Sequence, residues 1–238
     1  MSEAGPLVLN GGDELNPGNE PQDEVLVTAA GDGPAYVLAT AAGRQRPELA
    51  VANARRWFGS LGLELDELPA IRRSDVTSDA NVERARSGRF FYLVGGDPGL
   101  VPKTLADTPL WDAIVAAWRE GAALGGSSAG AMALGERTLI RDRMPGDDRR
   151  RGVPALELVP GVAVLPHYDT FGHRWIASAR ENVPELTLLG PDERTAAVWR
   201  DGAWSALGAG SVTVIRGDER STFAGGEAIE GLPQPLGA

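Results

Sequence analysis

The chain has 238 residues, 42% hydrophobic and 24% charged, and carries a net charge of −10 from 23 Lys+Arg against 33 Asp+Glu. That balance repels phosphate backbones and anionic bilayers, so neither nucleic acid nor a membrane is an expected partner. With no cysteine and only two histidines, His167 and His173, the sequence excludes disulfides, thiolate nucleophiles and Cys-bound metals, and offers few ligands to any other metal; no cofactor is expected.

No apolar run approaches the ~18 residues of a membrane span, and the first ten residues lack the basic and apolar regions of a signal peptide. A cytoplasmic location and a single domain over 1–238 are the expectations. Leu7-Val8-Leu9 reads as a first strand that ends in the turn Asn10-Gly11-Gly12. Pro47 to Leu61 reads as a helix, with Val51, Ala54, Phe58 and Leu61 on one face. Leu63 to Leu65 suits a short strand and Asp79 to Arg86 a short helix. Phe90 to Val94 is the clearest buried strand, running straight into Gly95-Gly96-Asp97-Pro98.

The next helix is marked at both ends: Thr108 at the N-cap, Pro109 at N1 and Gly121 just past the end. A strand at Ala122 to Leu124 follows, then a tight turn into a helix ending near Leu134. Such alternation argues for parallel βαβ units in an open sheet flanked by helices. Residues 136–160, charged and glycine-bearing, read as a surface loop with a solvated Arg149-Arg150-Arg151 run. Val162 to Pro166 reads as a strand and Phe171 to Asn182 as a helix. From Leu186 onward short alternating runs read as antiparallel hairpins extending one edge of the same sheet.

The chemistry gathers at Gly126-Ser127-Ser128-Ala129-Gly130, a G-x-S-x-G segment between a strand and a helix. Such a turn exposes a nucleophile, and its small flanking residues let neighbouring chains pass close. Ser128 centres the spacing; Ser127, flanked by Gly125 and Ala129, is the rival. A serine needs a base, and His167 at the end of its strand suits that better than His173. The acid that would orient the base stays open among Asp169, Asp142, Asp148, Asp192 and Glu193, with the last two slightly ahead. Leu207 to Ser211 resembles half a dinucleotide fingerprint but has no helix after it, so nucleotide binding is not expected.

The stretch from Phe90 to Glu136, with its Gly-Gly turn and Gly-Ser-Ser-Ala-Gly-Ala segment, resembles the dipeptidase E and cyanophycinase family of serine peptidases. LPHYDTFGHR and GPDERTAAV resemble that family's histidine and acidic segments, and the resemblance spans roughly residues 7–215. It implies a fold like the class I glutamine amidotransferases. It also implies a triad of Ser128, His167 and Glu193, with backbone N–H groups at Gly96 and Ala129 as the oxyanion hole. The Gly-Gly turn continues into Asp97-Pro98 where relatives carry a polar amide, and the closely following arginine of cyanophycinases is missing, Arg174 being the nearest. Asp97 and Arg174 are therefore the candidate substrate-binding residues, and a small peptide or amide with an acidic group is the expected substrate. A homodimer stays open. Two other readings compete: an α/β-hydrolase-type esterase, whose triad order normally puts histidine last, and a non-catalytic binding or sensing protein on the same fold.

Overall fold

The structure is a computed structural model describing residues 3–142 and 148–238. In the first half strands and helices alternate. β1 (Leu7–Asn10) leads to α1 (Glu20–Ala30), β2 (Ala35–Leu38) to α2 (Pro47–Ser60), and the two-residue β3 (Asp66–Glu67) to α3 (Arg73–Val76) and α4 (Asp79–Ser87). Then β4 (Phe90–Leu93) leads to α5 (Leu100–Leu105) and α6 (Pro109–Arg119), and β5 (Ala123–Ser127) to α7 (Ala129–Leu134). The second half is richer in strands: β6 (Arg137–Arg141), β7 (Arg150–Pro154), β8 (Val162–Val164), a 3₁₀ turn (Gly172–Trp175) entering α8 (Ile176–Asn182), then β9 (Thr187–Pro191), β10 (Thr195–Arg200), β11 (Ala203–Gly208), β12 (Ser211–Arg216) and β13 (Glu219–Ala224).

Seven strands form the central sheet in the order β11-β10-β1-β5-β4-β2-β3. The five from β1 to β3 are mutually parallel, and β10 and β11 add an antiparallel edge. The period-2 pleat splits β4 between two cores: Phe90 and Tyr92 pack with Phe58 and Val37 on one face, Phe91 and Leu93 with Leu110, Ile114 and Trp118 on the other. Thr108 caps α6 by accepting the Trp111 N–H at 3.3 Å, with Pro109 in the first turn, as its sequence signals predict.

Several expectations are corrected. Residues 136–160 are not simply a surface loop: β6 and β7 pair from Arg137↔Pro154 to Arg141↔Arg150. Charged composition hid a strand in which Thr138 and Leu139 are both fully buried, one on each face. The middle of that expected loop, residues 143–147 with Asp147, lies outside the described residues. The C-terminal hairpins do not all extend one sheet. β10 and β11 do, but β12 and β13 join β9 and β8 in a second, four-stranded sheet. The chain changes sheets at Gly208-Ala209-Gly210, where Gly208 has φ +119 and an added Cβ would collide with the Arg194 carbonyl. β8 therefore does not neighbour the Ser128 strand, whose partners are β1 and β4. Leu63 and Leu65 are buried, yet the strand itself is Asp66–Glu67. The helix expected over 171–182 divides into a 3₁₀ turn and α8.

α1 and β2 left no readable signal. Two of the buried residues of α1 are polar, Gln22 and Asp23, so its inner face does not look apolar. Asp23 is fully buried; its Oδ2 accepts the Trp57 Nε1–H at 2.7 Å. Burial raises its pKa to about 7, with the Trp57 hydrogen bond opposing and Glu14 and Glu20 adding to the rise. A carboxyl whose folded pKa exceeds its unfolded value holds its proton better in the native state. Stability is then lost as pH rises from near 4 through 7. At roughly 1.4 kcal/mol per unit, the ceiling is about 4 kcal/mol. Asp23→Asn keeps an acceptor for Trp57 and removes the titration. Urea unfolding at pH 5 and pH 8 should show the variant gaining on the wild type at pH 8; an unchanged gap between the two pH values would contradict the assignment.

Candidate active site

Ser128 links β5 to α7 with φ 50 and ψ −112, backbone angles that side chains rarely adopt. Close packing holds it there. Its N–H donates to the Asn10 carbonyl at 3.0 Å. A Cβ on Gly126 would lie 2.6 Å from the Gly130 carbonyl carbon, and one on Gly130 would collide with the Leu93 carbonyl. The glycine spacing read from the sequence is thus a steric requirement of the turn. The rival Ser127 points into the interior, fully buried, and donates its hydroxyl to Glu14 Oε2 at 3.0 Å.

His167 leaves the end of β8 with φ +50 and donates its N–H to the Gly11 carbonyl at 2.7 Å. Its Nε2 lies 3.1 Å from Ser128 Oγ, and its Nδ1 lies 2.7 Å from Glu193 Oε1. A carboxylate can only accept, so Nδ1 carries the proton, and in the neutral ring Nε2 faces the hydroxyl with a lone pair. Thr170 Oγ1 donates to the same Glu193 oxygen at 3.3 Å, and Asp169 Oδ1 accepts the Glu193 N–H at 3.0 Å. Phe171 stacks on the imidazole, ring centroids 4.7 Å apart. Gly12, at φ +128, must be glycine, because a Cβ there would run into the His167 ring.

The other sequence candidates fall elsewhere. Asp192 turns away from His167 and accepts the Ser211 N–H at 2.9 Å, with burial pushing its carboxyl pKa up. His173 Nδ1 sits 2.8 Å from the Tyr168 carbonyl, outside the Ser128 cleft. Asp142 lies 4.0 Å from Arg149, and Asp148 is exposed. Gly96 has φ +146, and a Cβ on it would collide with the Ala41 carbonyl. Among the described residues neither the Gly96 nor the Ala129 N–H is engaged in a hydrogen bond, whereas the preceding Gly95 N–H donates to Glu14 Oε1 at 2.9 Å.

Ser128, Ala129, Gly96 and His167 open onto a cleft of about 680 Å³. Asp97 lines it, holding the Gly99 N–H at 2.9 Å and standing 3.7 Å from Arg44. Arg174 does not: it is exposed and outside the lining, because the 3₁₀ turn faces it outward. Among the described residues, the cations that line the cleft are Arg44, Lys103, Arg141 and Arg150. Arg150 departs from the expected solvated run. It is 6% exposed, with its guanidinium 4.1 Å from the Trp175 ring centre, and Trp175 leans on Phe171 at 5.5 Å. Glu14, Thr170, Phe171 and Trp175 carried no motif. Lys103, the only lysine of the chain, was equally unmarked.

The sequence profile of peptidase family S51 matches residues 8–206. The chain belongs to peptidase family S51. It is 31% identical over 222 residues to a cyanophycinase of Nostoc sp., covering 88% of this chain and 72% of that protein. A cyanophycinase of Geminocystis herdmanii is 28% identical over 226 residues, covering 90% and 81%. Among solved structures, a peptidase from an acI-B1 Actinobacterium superposes with a TM-score of 0.83 at 30% identity, covering 95% of this chain and 96% of that one. A protein of Listeria monocytogenes EGD-e assigned as peptidase E shares the fold, with a TM-score of 0.59 at 18% identity over 93% and 98% of the two chains. S51 membership agrees with the resemblance read from the sequence and makes this chain a serine-type peptidase acting on small peptides. Among the described residues no helix is long and apolar enough to cross a membrane.

Proposed function

We propose that the chain hydrolyses an amide bond of a small acidic peptide through an acyl-enzyme on Ser128. The observation that carries this reading is the continuous line Ser128 Oγ–His167 Nε2–His167 Nδ1–Glu193 Oε1, at 3.1 and 2.7 Å, opening onto a cation-lined cleft. In this mechanism His167 takes the Ser128 proton as Oγ attacks the carbonyl carbon. The tetrahedral oxyanion is met by the Gly96 and Ala129 N–H groups. His167 then gives the proton to the departing amine. Water, deprotonated by the same imidazole, cleaves the acyl ester and restores the serine. Glu193 holds the proton-bearing Nδ1 and stabilises the imidazolium that forms.

A fluorophosphonate probe tests the nucleophile: the adduct should map to Ser128 by peptide mass. A dipeptide panel set against short-chain esters should show amide cleavage as the main activity. No adduct and no turnover would favour a binding protein on this fold; ester turnover alone would favour the esterase reading.

The acidic preference rests on Arg150. The guanidinium is held against Trp175, 4.1 Å from the ring centre, and donates Nη1 to the Arg149 carbonyl at 3.2 Å, so it presents a fixed positive charge at the cleft wall. A charge-assisted contact with a substrate carboxylate contributes roughly 1.5–3 kcal/mol. Arg150→Ala should lower kcat/KM about 10- to 150-fold for an aspartyl dipeptide and leave the asparaginyl counterpart little changed. The ratio of the two is the readout, since a general loss of packing lowers both alike. An unchanged ratio would move the specificity elsewhere in the cleft.

A further inference from the structure

The turn after β1 touches every element of the proposed catalytic site. The Asn10 carbonyl accepts the Ser128 N–H at 3.0 Å, the Gly11 carbonyl accepts the His167 N–H at 2.7 Å, and the Gly12 carbonyl accepts the Arg194 N–H at 2.9 Å, next to Glu193. The Asn10 side chain accepts the Gly12 N–H at 2.9 Å and fixes the turn on itself. Asp13 binds Arg194 Nε at 2.6 Å. Glu14 then reaches across the gap between two separate loops. Its Oε1 accepts the Gly95 N–H at 2.9 Å and its Oε2 accepts the Ser127 hydroxyl at 3.0 Å. Positive φ at both Asp13 (51) and Leu15 (61) marks a turn bent so that Glu14 projects inward between them.

Gly95 directly precedes Gly96, and Ser127 precedes the Ser128-Ala129 pair. Gly96 and Ala129 carry the two proposed oxyanion donors. One follows β4 and the other β5, and the two loops are bridged by this one carboxylate. The fit is close: a Cβ on Gly95 would lie 2.7 Å from Glu14 Oε1 and 3.4 Å from Ser128 Cβ. An oxyanion hole works only if its donors stand in place before the charge develops, and losing one donor costs about 10²- to 10³-fold in kcat.

We propose that Glu14 is a positioning residue that sets the spacing of the Gly96 and Ala129 amides, acting on the transition state and not on substrate binding. The proposal rests on Ser128 being the nucleophile. Because the bridge is geometric, charge is not required. Gly95 N–H can only donate, but the Ser127 hydroxyl can donate or accept, so a glutamine at position 14 retains both contacts through its Oε1 and Nε2.

The test compares Glu14→Ala, Glu14→Gln and Ser127→Ala with the wild type, after fluorophosphonate mapping has located the wild-type nucleophile. Glu14→Ala should lower kcat about 100-fold with KM within about threefold. The affinity of a peptide aldehyde, which forms a tetrahedral adduct on the serine, should fall by the same factor. Glu14→Gln should stay within about fivefold of the wild type. Ser127→Ala, which removes one of the two contacts, should lose less than tenfold in kcat. Equal loss in Glu14→Gln and Glu14→Ala, or a loss expressed in KM with aldehyde affinity unchanged, overturns the proposal. So does a Glu14→Ala variant with wild-type kcat. If Glu14→Ala does not fold, Glu14→Asp takes its place under the same criteria, since the shorter side chain cannot reach the Gly95 N–H and the Ser127 hydroxyl together. A wild-type adduct mapped away from Ser128 sinks the underlying nucleophile reading instead and is recognised before any variant is assayed.

Discussion

Ser128→Ala should abolish peptide hydrolysis, with kcat falling about 10⁴- to 10⁶-fold, to the residue of catalysis that binding and oxyanion stabilisation supply without a nucleophile. The structure makes this a sharp expectation because the neighbouring hydroxyl of Ser127 cannot take over. Ser127 is adjacent in sequence, but its side chain is fully buried and its hydroxyl is bonded to Glu14. The positive-φ turn at Ser128 ends β5 and aims that hydroxyl into the cleft, so moving the nucleophile by one residue would need the whole turn to be rebuilt. The measurement is single-turnover hydrolysis of a good dipeptide substrate. Circular dichroism should show the variant folded, since replacing a half-buried hydroxyl by hydrogen in a turn fixed by Gly126 and Gly130 removes little packing. Loss of activity in Ser127→Ala with survival in Ser128→Ala would reverse the assignment.

His167→Ala should be nearly as damaging as Ser128→Ala, and the two together should be little worse than either alone. Residues that act as a unit are grossly non-additive: a serine without its base is not a nucleophile at neutral pH. Glu193→Gln should cost less, about 10²- to 10⁴-fold, because the Thr170 hydroxyl still holds the His167 backbone carbonyl and Phe171 still stacks on the ring, while the amide can favour the wrong tautomer. Steady-state kcat for the three single variants and the Ser128/His167 double variant checks the pattern. Strict additivity of the two single losses would mean that the two side chains do not act on one proton.

The candidate site was legible where local chain geometry carries information. The glycines flanking Ser128 are visible in one dimension because the steric demand is local: Gly126 abuts Gly130, four residues away. His167 stood out through its place at a strand end. The residues by themselves left Asp192 and Glu193 open, and only the family resemblance pointed to Glu193. Both lie in the turn between β9 and β10, where Arg194 has φ +55, and the turn's backbone decides which carboxylate meets the imidazole; Glu193 faces His167 and Asp192 faces Ser211. Glu14 was out of reach for another reason: its partners lie 81 and 113 residues away. The same non-locality misled the reading of the last strands. β10–β11 and β12–β13 are both short alternating hairpins, and nothing within either tells which sheet will accept it. Arg174 was chosen for nearness in sequence to His167, whereas Arg150 reaches the cleft from a strand that its charged neighbours disguised.

The chain changes sheets at Gly208–Gly210, the two sheets meet across one shared hydrophobic core, and the proposed catalytic line spans both. Ser128 hangs from the seven-stranded sheet, His167 from the four-stranded one, and Glu193 from the chain that passes between them. Hydrolysis is therefore a gauge of how the sheets are docked, and a finer one than any probe of their internal structure. A misplacement of about 1 Å at reacting groups can cost roughly 100-fold in rate. Urea or mild heat that lets the sheets slide should silence the enzyme while each sheet keeps its strands paired, so inactivation should run ahead of the loss of far-ultraviolet circular dichroism.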